Sequence, residues 1–344
     1  MRSRYALFVV LAAIVLAARP AASETALTES GSTLLYPLLQ VWVDAYTHDR
    51  PGVRVETRAT GSGAGIADAA AGTVTFAASD APLSDAQLHA GLMNVPLVVS
   101  AQAVNYNLPD VHAPLRLSGA LLAGIYSRQI TRWDDPRLAA MNPGVALPRH
   151  AIVPIRRSDG SGDTYLFTEY LTLSDPAWKA RYGFGTRVKW PGNELAAKGN
   201  AAMVETCVLT PYSLAYVGIS FYEQARARGL GVAVLRNRDG AMVEPTAPSI
   251  QAAARQAAAL TDQYGRASLV FLPGRDTYPI VNYEYAIFRK PQDAETANAL
   301  AAFLRWVLEH GSVPSFLDAV HFEPLPSAVA AESARRLGAL ESHS

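Results

Sequence analysis

The stretch IVPIRRSDGSGDTYLFTEYL, residues 152–171, holds one complete structural unit. Ile152 to Ile155 is a short apolar run that reads as a strand. Ser158-Asp-Gly-Ser-Gly162 is dense in turn formers, and a helix is predicted from about Asp163 to Leu171. Strand, Ser/Gly turn and helix in that order are the repeating grammar of an α/β layer.

The same order recurs on both sides of this unit. Leu34, Leu35, Leu38, Leu39, Trp42 and Tyr46 fall at helical spacing and predict a helix over 33–48. Val53 to Thr57 alternates as a strand, and Gly61-Ser-Gly-Ala-Gly65 leads into an Ala-rich helix ending near Ala71. Val74 to Ala77 reads as a strand running up to Ser79-Asp-Ala-Pro82. Val95 to Tyr106 and Tyr278 to Phe288 are long β-prone runs, while 117–125, 250–260 and 293–309 read as helices. The alternation predicts α/β domains with largely parallel sheets. The chain has 344 residues, enough for about two domains. No flexible linker separates them, so the chain is expected to cross between domains through ordered strands, 95–106 and 276–288, as a hinge.

Half of the residues are hydrophobic and 17% are charged, which supplies a core and excludes disorder. Lys plus Arg equals Asp plus Glu at 30 each, so no basic excess points to nucleic acid. The single cysteine, Cys207, cannot form an internal disulfide or a Cys-based metal site. Arg2 and Arg4 precede an apolar run from Tyr5 to Ala18, and Ala21-Ala-Ser23 offers a cleavage site before Glu24. About 14 apolar residues are short for a membrane span but suit a signal peptide. No cysteine stands at the cleavage region to carry a lipid, so a soluble exported chain is expected. Removal of Arg2, Arg4 and Arg19 leaves 27 basic against 30 acidic residues, a net charge near −3. An anion ligand would then be attracted by local geometry, not by the overall field.

Three Gly/Ser turns stand at predicted helix starts: Gly31-Ser-Thr33, Gly61-Ser-Gly63 and Gly160-Ser-Gly162. A helix N-terminus presents unpaired N–H groups and partial positive charge, so each can receive an anion. Each serine can equally cap its own helix. Nucleotide loops fit poorly, because no Lys-Ser or Lys-Thr follows a glycine loop and G-x-G-x-x-G spacing is absent. Thr60 and Asp159 stand where a G-x-S-x-G serine elbow needs glycine. The seven histidines are scattered without H-E-x-x-H pairing, so no metal site is expected. Trp178, Trp190 and Trp306 are expected in packing roles.

Gly31-Ser-Thr-Leu-Leu-Tyr-Pro37, Thr60-Gly-Ser-Gly-Ala-Gly65, Ala78-Ser-Asp-Ala-Pro-Leu83, Arg157-Ser-Asp-Gly-Ser-Gly-Asp163 and Lys189-Trp-Pro191 together resemble one family. It is the periplasmic phosphate-binding protein of the phosphate ABC importer, the PstS family. The resemblance runs from about residue 26 to about 330. The Ser161-Gly-Asp163 loop and Val281-Asn-Tyr-Glu-Tyr-Ala286 look most like its actinobacterial branch. It implies a type II periplasmic-binding-protein fold, two α/β lobes joined by two hinge strands around a ligand cleft. Residues 24–100 and 280–344 would form one lobe and 101–279 the other, after a signal peptide at 1–23.

The resemblance places phosphate in the cleft. Ser32, Thr33 and Leu34 would supply hydroxyl or backbone donors, and Ser62 a further pair. Asp80 would accept from a protonated phosphate oxygen, Arg157 would be the countercharge, and Ser161, Gly162 and Asp163 would close from the second lobe. A carboxylate facing an anion is costly unless the anion brings a proton, which phosphate does near neutral pH and sulfate does not. Arsenate passes the same test.

Two readings of Asp163, where the family often has threonine, stay open. Its carboxylate also faces the ligand, so that affinity rises toward pH of about 6, or it offers only its N–H and turns toward Arg157. In the branch resembled, Cys207 often pairs with a cysteine six residues on; here Ser213 stands there, so a free thiol is expected. The implied partners are inorganic phosphate and the permease subunits of an importer with its cytoplasmic ATPase. No cofactor, catalysis or nucleic acid is implied, and a periplasmic monomer without lipid anchor is expected. The rival class, a secreted phosphatase or serine hydrolase, lacks a nucleophile–base pair.

Overall fold

Short runs of Val, Ile, Phe and Tyr in a chain this apolar pair into one sheet that passes through the whole molecule. The computed structural model describes residues 25–192, 195–289 and 293–341. The signal segment expected at 1–23 lies outside the described residues. Nine strands form the sheet: β1 (Thr25–Gly31), β2 (Val53–Glu56), β3 (Phe76–Ser79), β4 (Leu92–Tyr106), β5 (Val153–Arg157), β6 (Leu195–Ala197), β7 (Ser213–Gly218), β8 (Gly231–Val232) and β9 (Val281–Arg289). Their order is β2-β1-β3-β9-β4-β7-β5-β6, with β8 beside the end of β4. Residues 116–117, 234–236 and 242–243 make a separate three-stranded sheet.

The sheet is mixed, which corrects the expectation of largely parallel pairing. β1 runs parallel to β2 and β3, and β5 runs parallel to β6 and β7. Between these parallel arms, β9 is antiparallel to β3 and β4, and β4 is antiparallel to β7. The cause is the hinge itself. One strand carries the chain out of the first lobe and another brings it back, so the two lie in opposite directions with no crossover helix between them.

β4 spans both lobes. Its residues 92–101 pair with β9, and its residues 102–106 pair with β7. At the changeover Gln102 donates its N–H to Ile280 O at 3.0 Å, and the Tyr278 hydroxyl donates to Gln102 O at 2.9 Å. Both connections expected from 95–106 and 276–288 therefore meet at one place. Residues 262–266 lean back onto the first lobe, where Arg266 donates to Leu83 O at 3.0 Å and to Asp85 at 2.7 Å.

Four helices start or pack at the cleft: α1 (Tyr36–His48), α2 (Ser62–Ala71), α3 (Gly162–Ser174) and α4 (Gly199–Leu209). α1 begins three residues later than expected, because Ser32–Leu35 forms a turn in which the Ser32 hydroxyl accepts from the N–H groups of Leu34 and Leu35. The strand expected at 74–77 lies at Phe76–Ser79. Left-handed Gly72 ends α2, and Thr73 still donates to Asp68 O before the chain reaches the sheet.

Trp178 is buried, and Trp190 packs between Tyr126 and Tyr216 as well as on Trp178. Trp306 packs on Tyr46 and Phe316. Cys207 is buried and free, and its sulfur accepts from the Ser213 hydroxyl at 3.3 Å. Burial pushes that thiol up to about 11, so it is unreactive. No helix among the described residues is long and apolar enough to cross a membrane.

Glu29 and Glu169 are among the carboxyls buried inside these layers. Glu29 on β1 accepts from Ala78 N at 3.1 Å and is pushed by burial up to about 8. Glu169 on α3 accepts from Ser268 at 2.9 Å and is pushed by burial up to about 7. Above the ordinary glutamate value the folded state holds protons that the unfolded state has released, so stability declines as pH rises through about 4 to 8. The unliganded protein is expected to melt on the order of 5 °C higher at pH 5.5 than at pH 8. Differential scanning calorimetry across that range checks the sign.

Candidate anion-binding site

Three helix starts converge on one buried carboxylate. β3 delivers Asp80, which is 1% exposed, to the edge of the cleft. One carboxylate oxygen accepts from the Ser32 hydroxyl in the turn before α1. The other accepts from the Ser62 hydroxyl at the first position of α2, at 3.2 Å. Ser62 Oγ in turn accepts from the Asp80 N–H at 3.2 Å, which locks the loop after β3 to the start of α2. Burial, then the charge of Asp163, raises Asp80 to about 6. Hydrogen bonds from Glu284 and Ser32 and the charge of Arg157 work against that rise.

The second lobe meets this carboxylate with backbone. α3 begins at Gly162, capped by Ser161, whose hydroxyl accepts from Thr164 N at 3.3 Å. A Cβ on Gly162 would fall 2.6 Å from Asp80 Cγ, so only glycine allows the helix start to come this close. Gly61, in the left-handed region at φ 95°, lies against Asp159 in the same way. Gly63 N donates to Gly160 O at 2.9 Å, and Ser220 Oγ donates to Leu34 O at 2.8 Å, so the lobes touch directly.

Arg157 ends β5 and is 3% exposed. Its Nε donates to Asp159 Oδ1 at 2.8 Å, and its Nη2 donates to the other oxygen of that carboxylate. Its Nη1 donates to Asp163 Oδ2. Burial opposes the guanidinium charge, but Asp159 and Asp163 more than offset it, so Arg157 is held firmly protonated. Asp163 Oδ2 also accepts from Asn200 Nδ2 at 2.7 Å, and Gln102 Nε2 donates to Oδ1 at 3.1 Å. Asn200, on α4, reaches across to Thr33 Oγ1 at 3.0 Å.

A cavity of about 780 Å³ opens beside the cluster, bordered by Gly63, Asp80, Pro82, Tyr165, Glu169 and Arg266. No group of three or more His, Cys, Asp or Glu among the described residues could hold a metal ion.

Residues 17–310 match the PBP superfamily domain. "Phosphate-binding protein PstS" of Methanocaldococcus jannaschii is 34% identical over 325 residues, covering 88% of this chain and 82% of that protein. "Phosphate-binding protein PstS" of Xylella fastidiosa is 32% identical over 313 residues, covering 89% and 84%. The chain belongs to the PstS family. A solved relative of lower identity, the high affinity periplasmic phosphate-binding protein PfluDING bound with phosphate, superposes with a TM-score of 0.70 at 22% identity. It covers 89% of this chain and 92% of that one, and shares the type II periplasmic-binding fold.

In this PstS chain the expected site residues fall into two joined groups. Ser32, Ser62, Asp80 and Gly162 form one contact cluster. Thr33, Arg157 and Asp163 form the other, tied through Asn200. Leu34 directs its N–H to Ser32 Oγ at 3.1 Å, and the Ser161 hydroxyl serves as a cap. The Asp163 carboxylate turns toward Arg157, Asn200 and Gln102. Oδ2 accepts from Arg157 and Asn200, and Oδ1 accepts from Gln102.

Sequence reasoning missed Asp159, Asn200, Gln102 and Glu284. Asp159 sits inside the Arg157–Asp163 loop, and its spacing of two from Arg157 was a usable signal. Asn200 and Gln102 are single polar residues whose role exists only in three dimensions. Gly162→Ala is expected to weaken ligand binding roughly 10- to 100-fold through overpacking against Asp80. Its melting temperature should stay close to wild type, because the clash lies at the lobe contact. Parallel calorimetric titration and thermal melts check this.

Proposed function

We propose that this protein captures inorganic phosphate between its lobes and delivers it to the permease of an ABC importer, without making or breaking a bond. The observation that carries the reading is the buried Asp80 carboxylate at the meeting point of α1, α2 and α3. Helix starts and Arg157 favour an anion there, while an acceptor-only carboxylate admits only an anion that carries its own proton.

The ligand contacts we assign are Ser32, Thr33, Leu34, Ser62, Asp80, Arg157, Ser161, Gly162 and Asp163, the last through its backbone N–H. Phosphate favours the closed arrangement because only there do both lobes reach it. The lobes we assign are 24–100 with 280–344 and 101–279, which agrees with the strand changeover at Gln102 and Ile280. The serine hydroxyls serve as donors and caps, not nucleophiles: Ser62 bonds Asp80, and Ser161 caps α3.

Export to the periplasm is supported by the charged, apolar and small-residue pattern at 2–23 and by the PstS relatives. The affinity to an actinobacterial branch rests on Ser161-Gly-Asp163 and residues 281–286 alone.

Titration calorimetry with phosphate and sulfate tests the reading. Wild type should bind phosphate and discriminate strongly against sulfate, and Asp80→Asn should narrow that gap at least roughly tenfold, because its amide can donate. Equal binding of both anions by wild type would sink the proposal.

A further inference from the structure

Next to Asp80, linked to it through Asn282, lies a second buried carboxyl. Glu284 on β9 has no solvent exposure. Its Oε1 accepts from Ser100 Oγ at 2.6 Å and from Asn282 Nδ2 at 2.9 Å. Its Oε2 is buried and finds no donor among the described residues. The same Asn282 Nδ2 also donates to Asp80 O at 3.4 Å, so Glu284 stands beside Asp80, the acid whose charge acts on it. Two neighbouring buried carboxyls can bond to each other only if one carries a proton.

The surroundings decide which one. Asp80 faces donors and a cation: Ser32, Ser62 and Arg157, with Asp163 as the opposing charge. The charge that acts most on Glu284 is that of Asp80, and burial followed by that charge holds Glu284 well above the usual carboxylate range. A proton on Glu284 Oε2 would give that buried, unpartnered oxygen a donor role toward the neighbouring Asp80. Asp80 offers about four acceptor positions on two oxygens. Ser32, Ser62 and a protonated Glu284 fill three, which leaves one for a proton brought by a ligand.

We propose that Glu284 is a specificity-determining residue: a neutral carboxylic acid that donates to Asp80 and keeps it an acceptor toward the bound anion. The inference rests on the phosphate reading. Its consequence is that sulfate exclusion persists into mildly acidic solution, because the donor beside Asp80 resists protonation of Asp80. Once protonated, Asp80 could donate to sulfate and discrimination would be lost.

The experiment compares wild type, Glu284→Gln and Glu284→Leu by calorimetric titration with phosphate and with sulfate from pH 8 to 5. Gln keeps both functions, accepting from Ser100 and Asn282 and donating to Asp80, so its discrimination should match wild type. Leu removes the donor, and the pH at which sulfate binding appears should move up by about one to two units. An unchanged onset in Glu284→Leu overturns the proposal. Infrared difference spectra at pH 7 supply an arm that needs neither ligand nor the Leu variant. Glu284→Gln should lose one protonated-carboxyl component relative to wild type, and an unchanged spectrum also overturns the proposal. Failure of wild type to bind phosphate would remove the phosphate reading, while the infrared arm would still report where the proton sits.

Discussion

The contact between the start of α3 and the Asp80 carboxylate is the constraint on which the rest depends. A carboxylate stripped of water is unstable unless donors replace the solvent. Here Ser32 and Ser62 supply them from two separate helix starts of the first lobe. That demand explains why the turn before α1 is held open by Ser32, and why α2 begins on a serine directly after a left-handed glycine. It also explains the glycine at 162, since the second lobe can approach the serine-bonded carboxylate this closely only with bare backbone.

The charge balance follows the same logic. Arg157 is the buried cation of the cluster, and it is already paired with Asp159 and Asp163. The two carboxylates fix its plane and keep it charged in a buried place, where an unpaired guanidinium would be costly. They also cancel most of its long-range field. Attraction for an anion therefore comes from helix N-termini within the first turn, a short-range effect that operates only once the lobes are near closure. A chain with 30 acids balancing 30 bases can work this way, because its site does not rely on steering.

Much of this was legible in residues 152–171, because a strand, a glycine-serine turn and a helix are local features with strong periodicity. The turns at Gly31, Gly61 and Gly160 also marked the helix starts that converge. Pairing direction was not legible. Local pattern shows that 95–106 and 278–288 are extended, but whether they run parallel depends on which lobe each leaves, a global property. The Asn200 and Gln102 contacts were hidden for a related reason: each is one amide among many, chosen by a partner more than 35 residues away.

Glu284 shows why a buried acid is hard to read from a strand pattern. In Val281–Ala286 it looks like the polar phase of an alternating strand, which would ordinarily face solvent. β9 lies in the centre of the sheet, covered on both faces, so no phase of it reaches water. A charge there would need a countercharge, and the nearest charged group is another acid. Neutralisation by a proton is the remaining solution, and it turns an acceptor into a donor. The sheet centre thus supplies the one hydrogen bond that the two lobes, meeting Asp80 with serines and bare backbone, do not provide.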